Sequence, residues 1–374
     1  MVDKPRLAVF ARLASRPIPR VVRMAQVARE LGYEPLFCAA MRDQGLPRAD
    51  EWQGLPITRI GPYFPLLNGR RPWFYLRSVL AYNRALFRLL RQKRPAIVHA
   101  SDVETMPASV LYRLLNRCRL VYNIHDNLAQ RYDIPEFVRA VLNLIEGCYV
   151  LRSDATVVPE EFRRQALPRW CRRKVAIVRN TPGEIAIAPP PPTDALIRVF
   201  FGGWLDWGRG LRALLEIARL NERVELRIAG EGSDEIVRAL RSHPRIRYLG
   251  FLDHESVLEE TRRCHIVPAL YDPAREINRF AASNKLAEAF AIGRPVLLNV
   301  ELEIAAQFSG SPCVIAGPYA AIADSWPRVQ RLVDDRSAYV EACAEARRHF
   351  DRSYAWPPVR EAMVRALAPV GRRN

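Results

Sequence analysis

The stretch Asn284–Val300, NKLAEAFAIGRPVLLNV, puts an amide, a cation and a carboxylate within one short helical segment. Asn284 and Lys285 open it, where unpaired backbone N–H groups and the helix dipole favour an anion. Leu286, Ala289 and Phe290 fall at i, i+3 and i+4 and can face a core, while Glu288 falls off that stripe. Gly293 supplies the left-handed stop, and Pro295 to Leu298 reads as a buried strand. A cation and a free carboxylate at the end of a sheet suit a ligand with a phosphate and a diol, which describes a nucleotide. The competing reading is a plain amphipathic helix with exposed charges. Glycines end further strands at Gly202-Gly203, at Gly230 and Gly232, and at Gly250. In the loop Gly202 to Gly210 they allow close backbone approach, and Arg209 stands where the next helix starts, ready to pair a phosphate. The loop is neither G-x-x-x-x-G-K-[ST] nor G-x-G-x-x-G, so its weight comes from Lys285 converging on the same region. No Asp-x-Asp is present, so no metal is expected at a diphosphate. In the first half, Asp102 follows one strand and His125-Asp126 follow the next, the position where open α/β sheets hold ligands. A buried, hydrogen-bonded histidine is the alternative there.

The elements that place these residues alternate. Arg20 to Leu31 has helical spacing between the strands Leu7 to Phe10 and Pro35 to Ala39. Strand and helix then alternate to Val178, and again from Leu196 to Val300, giving two doubly wound parallel domains. Expected boundaries are a first domain over 1–187, a stiff proline linker at 188–193, a second domain over 194–352 and a terminal helix within 353–374. With 374 residues, 49% of them hydrophobic, two cores are affordable and disorder is excluded. No apolar run is long enough to span a bilayer, and the charged N-terminus reads as no signal peptide. Seven scattered cysteines suit a reducing cytoplasm and no structural metal. The net charge of +17 expects an anionic partner, unless it only reflects an arginine-rich composition. Residues 70–94 form the most basic helix, with Arg77, Arg84, Arg88 and Arg91 on one face. That face fits an anionic membrane or simply a solvated surface. No nucleic-acid recognition motif accompanies the charge, so no nucleic-acid partner is expected.

Several ordered motifs resemble the retaining glycosyltransferase family 4, whose fold is GT-B. Gly203 to Gly210 looks like its G-x-L-x-x-x-[KR]-G loop, Ala229-Gly-Glu-Gly its A-G-x-G strand end, and Tyr248-Leu-Gly-Phe-Leu its x-L-G-x-[VL]. Ser283 to Val296 resembles its [SP]-N-K-L-x-E-x-x-A-x-G-x-P-V signature. The first half resembles the family more faintly, at Pro19-Arg20-Val21, His99 to Asp102 and Tyr122 to Asp126. The resemblance implies two Rossmann-like domains facing a central cleft and a UDP- or GDP-sugar donor. It implies a diphosphate on Arg209 and Lys285, near Asn284 and the glycine ends Gly202, Gly203 and Gly230. Ribose would lie on Glu288, the base along Gly250, Phe251 and Leu252, and the sugar near His125. Retention follows from the resemblance; an inverting enzyme would use Asp126 or Asp102 as base. The expected acceptor is a saccharide or a polyprenyl- or lipid-linked sugar of surface polysaccharide or glycolipid synthesis. The expected location is the inner face of the cell membrane. Two departures stand out: Phe280 replaces the first Glu of the family's E-x7-E pair, and Trp204 replaces an arginine. Glu276 or Asp272 could substitute for the missing acid. Without it, a catalytically inactive sugar- or partner-binding GT-B protein is the alternative.

Overall fold

Short apolar runs separated by amphipathic helices force parallel strands, because each helix carries the chain back to the edge it left. A computed structural model describes residues 6–65, 72–192 and 195–368. Arg70 and Arg71 of the expected basic helix, the linker's Thr193 and residues 369–374 lie outside the described residues. The chain divides into two units, Met1–Arg179 with Pro357–Asn374, and Asn180–Trp356. The division falls ahead of the proline run. Arg294 donates to the carbonyls of Ala188 and Pro189, and Arg336 to that of Pro191 at 2.7 Å, so the run packs within the second unit.

In the first unit, β1 (Arg6–Arg12), β2 (Tyr33–Ala40), β3 (Ala49–Trp52), β4 (Leu55–Ile60), β5 (Ile97–Ser101), β6 (Arg119–Asn123), β7 (Ala155–Val158) and β8 (Val175–Ile177) form one sheet. Its order is β3-β4-β2-β1-β5-β6-β7-β8. Only the β3–β4 pair is antiparallel among the described strands, a hairpin that the sequence reading passed over. Its turn residues Gln53 and Gly54 both have positive φ, which fits a two-residue hairpin turn. The strand order reverses direction between β1 and β5.

In the second unit, β9 (Ile197–Gly202), β10 (Val224–Ala229) and β11 (Ile246–Tyr248) pair as β11-β10-β9. The strands β12 (Val267–Ala269), β13 (Val296–Asn299) and β14 (Val314–Gly317) pair as β12-β13-β14. A parallel bridge between Val199 and Ile266 joins the two groups, so the order is that of a doubly wound nucleotide-binding sheet with its reversal between β9 and β12. Val199, Phe201, Leu226 and Ile228 point to one face and pack with Leu214, Ile217 and Trp326. The expected terminal helix is Trp356–Leu367, whose prolines are tolerated because they fall in its first turn; a longer helix, Arg336–Ser353, precedes it in the second unit. Arg119 donates to Ala366 O at 2.8 Å and Arg360 pairs with Glu30, tying the last helix to the first unit.

One buried acid braces the strand ends of the first unit. Glu146, on the helix Glu136–Arg152, accepts from the Leu128 N–H at 3.1 Å and the Tyr122 hydroxyl at 3.2 Å. It thereby anchors the turn Leu128–Arg131. Burial raises its carboxyl from 4.5 to about 7, against the pull of those donors and of Arg131.

Two outcomes follow. At Gly230 a Cβ would lie 1.7 Å from the Gly203 carbonyl oxygen and φ is +140°, whereas at Gly310 φ is +75° with open space. Gly310→Ala should therefore cost about 1 kcal/mol, and Gly230→Ala clearly more, in denaturant titrations of the second unit; equal costs would refute the close approach. Glu146 binds its proton more tightly folded than unfolded, so its contribution to stability is full below pH 4.5 and is lost as pH rises through about 7. Between pH 5 and 8 the denaturation midpoint should fall less in Glu146→Gln than in the parent protein, and an identical fall would exclude this titration.

Candidate functional site

In the second unit, the loop after β9 is shaped by glycines and a local cap. The Leu205 N–H donates to Glu231 O at 2.8 Å, and the Gly230 N–H to Gly250 O at 2.8 Å, so the ends of β9, β10 and β11 lie in contact. Asp206 caps the turn Trp207–Arg209 by accepting from the Gly208 N–H at 2.8 Å. Gly210 then turns left-handed under Leu270 to start the helix Leu211–Leu220, since a Cβ there would lie 2.5 Å from the Leu270 side chain.

The loop delivers Arg209 to the reversal point. Its guanidinium lies 4.7 Å over the Tyr271 ring. Lys285, in the first turn of the helix Asn284–Ile292, puts Nζ 4.3 Å from the Phe201 ring and 5.4 Å from that of Tyr271. A Cβ on Gly203 would touch that same Nζ. Aromatic faces hold these cations without neutralising them, and among the described residues neither cation is in an ion pair. Burial, then the Arg209 charge, lowers the Lys285 ammonium; Tyr271 and Glu288 pull the other way. Burial alone would raise the Tyr271 phenol, but Lys285 and Arg209 outweigh it and bring it down. The N-cap Ser283 makes no side-chain capping bond, so the helix N-terminus beside Lys285 keeps open N–H donors, with Asn284 exposed on it.

Glu288 is mostly buried, and its carboxylate lies 3.7 Å from His254 Nδ1. His254 begins the helix that follows Gly250, Phe251 and Leu252, so acid and strand end are neighbours. Trp204 and Phe251 stand exposed. Phe280 follows the helical turn Glu276–Arg279 and is half-buried. The Asp272 carboxylate accepts from the Ala274 N–H at 3.0 Å and serves its own loop. Tyr271 and His254 escaped the sequence reading. Tyr271 lies two residues beyond the end of β12, so the strand-end rule that picked out Asp102 and His125 reaches it too.

The first unit gathers Asp102, His125 and Arg131 at the end of β5. Asp102 has φ +62°, a strained conformation for a residue with a side chain. Its carboxylate accepts from the His125 backbone N–H at 3.0 Å, meets His125 Nδ1 at 3.2 Å and pairs with Arg131 at 3.0 Å. Burial opposes the Asp102 charge, but His125, Arg131 and Arg12 outweigh it and hold the carboxyl below its usual range. Burial pushes His125 down to about 4, against the pull of Asp102, so its ring is neutral at pH 7. With Asp102 ionised, Nδ1 carries the proton and Nε2 is the acceptor, 3.4 Å from the Asn123 amide nitrogen. Arg131 also pairs with Glu104 at 2.6 Å. Asp126 is not part of this group. It pairs with the buried Arg163 at 2.8 Å. His99 is a core residue, against Met24 Sδ at 3.2 Å and the Phe10 ring. Arg131 and Arg163 gave no signal in the sequence, since both reach Asp102 or Asp126 from turns or helices far along the chain. No group of His, Cys, Asp and Glu able to hold a metal occurs among the described residues.

The sequence model of Glycosyltransferase Family 4 matches residues 20–181, the half in which the motif resemblance is fainter. No curated protein matches the chain by sequence. Sucrose-phosphate synthase from Thermosynechococcus elongatus has a similar structure, with a TM-score of 0.76 and 13% identity, covering 96% of this chain and 98% of that one. Anabaena HepE in complex with UDP aligns with a TM-score of 0.69 at 12% identity, covering 97% and 99%. The E. coli trehalose-6-phosphate structure bound with UDP-2-fluoro glucose aligns at 0.66 and 12%, covering 96% and 97%. At these identities the structures speak for the fold, two Rossmann-like domains of GT-B type, and the family match speaks for the chemistry. Residues 20–181 thus match the Glycosyltransferase Family 4 model, and the chain is a glycosyltransferase with the GT-B fold.

Proposed function

We propose that the second unit binds a UDP- or GDP-sugar and that the enzyme transfers the sugar, with retention, to a saccharide or lipid-linked acceptor. The observation that carries this reading is the pair Lys285 and Arg209, held on aromatic faces and free of carboxylates. As a sugar–phosphate bond breaks, negative charge gathers on the leaving diphosphate, and cations already in place lower that barrier most. In this proposal the two cations and the open helix N-terminus meet the charge, with no metal called on. Glu288 takes the ribose hydroxyls, and the Gly250 to Leu252 backbone runs along the base. The UDP bound by HepE and the UDP-2-fluoro glucose of the E. coli structure favour a uridine donor. In the first unit, neutral His125 offers Nε2 to a sugar hydroxyl, and Asp102 fixes its tautomer. Asp126, engaged by Arg163, is the weaker candidate for a base. Phe280 leaves sugar choice to other groups, Glu276 among them.

For the acceptor we propose a lipid-linked sugar at the cytoplasmic face of a membrane, in surface polysaccharide or glycolipid synthesis. Arg77, Arg84, Arg88 and Arg91 are all exposed on the helix Pro72–Lys93, with Trp73, Leu76 and Leu80 exposed beside them. No helix among the described residues is long and apolar enough to cross a membrane.

A thermal-shift panel of nucleotide sugars tests the donor. The true donor at a hundred times its Kd should stabilise by about 2.7 kcal/mol. Lys285→Ala should weaken it at least about tenfold, while His125→Ala should bind donor normally and lose transfer. Parent-like affinity in Lys285→Ala would sink the donor site. Arg84→Glu with Arg88→Glu should reduce binding to phosphatidylglycerol vesicles at least about tenfold, and unchanged binding would retire the membrane face.

A further inference from the structure

At the opposite edge of the first unit's sheet, where the strands begin, lies a cavity of about 620 Å³. Its wall carries Arg6 from the start of β1, Arg91 and Lys93 from the last turn of the helix Pro72–Lys93, then Arg94 and Arg117 from the connections into β5 and β6. No carboxylate lines it. Among the described residues none of these cations is in an ion pair. Another arginine-lined cavity, of about 510 Å³ in the second unit, makes the contrast. There Glu225 meets Arg198 at 3.5 Å and Arg227 at 3.2 Å, and Glu259 meets Arg262 at 3.3 Å and Arg263 at 2.9 Å, so most of the arginine charge has a carboxylate beside it.

Helix ends explain part of the first cavity and not the rest. Carbonyls at a helix C-terminus attract one or two cations, which covers Arg91 and Lys93. They do not call for Arg6 and Arg117, which stand outside helices. Arg94 is the telling residue. It adopts φ +48° just after the helix, a position where glycine or asparagine sits at lower cost, yet an arginine occupies it. Like charges crowded round a cavity of ligand size repel one another unless an anion fills it.

We propose that this cavity binds a phosphate-bearing ligand, distinct from the sugar donor, through the guanidinium and ammonium groups of Arg6, Arg91, Lys93, Arg94 and Arg117. The shared chemistry is a phosphate group with at least two negative charges, carried either on a lipid headgroup or on a small soluble molecule. The exposed Leu111, Leu114 and Leu115, on the helix that runs into Asn116 at the cavity wall, give a lipid tail an apolar surface nearby.

The test is calorimetric titration of inorganic pyrophosphate into the parent protein, Lys285→Ala, and Lys93→Glu with Arg117→Glu. Both altered cavity residues are exposed, and circular dichroism melting checks that the variant folds. The parent and Lys285→Ala should share a binding component that weakens at least about tenfold in the cavity variant. A second arm compares phosphatidylcholine vesicles with and without phosphatidic acid. Loss of phosphatidic-acid binding in the cavity variant identifies a lipid source, and loss of pyrophosphate binding alone identifies a soluble one. A folded cavity variant that binds both as the parent does overturns the proposal, whatever Lys285→Ala does at the donor site.

Discussion

The second unit depends on one backbone contact, Gly230 lying against the carbonyl of Gly203. A single added methyl group would occupy the space of that oxygen. The contact sets the ends of β9 and β10 flush, and the Gly230 N–H then reaches Gly250 O to include β11. With three strand ends level, the loop after β9 follows the course those contacts leave. It runs over Gly232, into the Asp206 cap and down to Arg209. Backbone packing thus delivers Arg209 to the strand ends, and the Tyr271 ring then receives its guanidinium.

The two units treat buried charge in opposite ways. In the second, Arg209 and Lys285 rest on rings that attract positive charge without cancelling it, so the field at the strand ends remains positive. Desolvation already works against the Lys285 ammonium, and an anion beside it would offset that cost by direct attraction. In the first unit, Asp102 is surrounded by Arg131, Arg12 and His125 and has no unmet demand. It holds an imidazole still, while burial, against the pull of Asp102, keeps that ring uncharged. One site is poised to receive charge, and the other to keep a hydrogen-bonding atom in place.

Much of this was legible in the sequence because it is written in short-range patterns. The helix Asp234–Arg241 and the strand, stop and helix around Gly293 follow from spacing and from glycine's tolerance of positive φ. Lys285 and Arg209 were found because helix starts after strands are local features. The hairpin of β3 and β4 was passed over because its turn is Gln53-Gly54, without the asparagine or aspartate that usually announces such a turn. Arg131 and Arg163 were invisible for another reason. Their partners Asp102 and Asp126 lie 29 and 37 residues away along the chain, and no periodicity connects them. The proline run looked like a boundary because proline cannot donate to a sheet. It can accept, however, and Arg294 and Arg336 use that capacity to bind it into the second unit.

The return of the chain to the first unit at Pro357 has a consequence for biosynthesis. A ribosome makes the β1 to β8 sheet first, yet the helix that Arg119 and Glu30 hold is made after the whole of the second unit. The second unit is continuous in sequence and can close on itself as it emerges. The first must wait with part of its surface uncovered, including the carbonyl-seeking Arg119. Premature termination before Pro357 would thus leave a finished second unit attached to an unfinished first one, although every strand of both sheets had been synthesised.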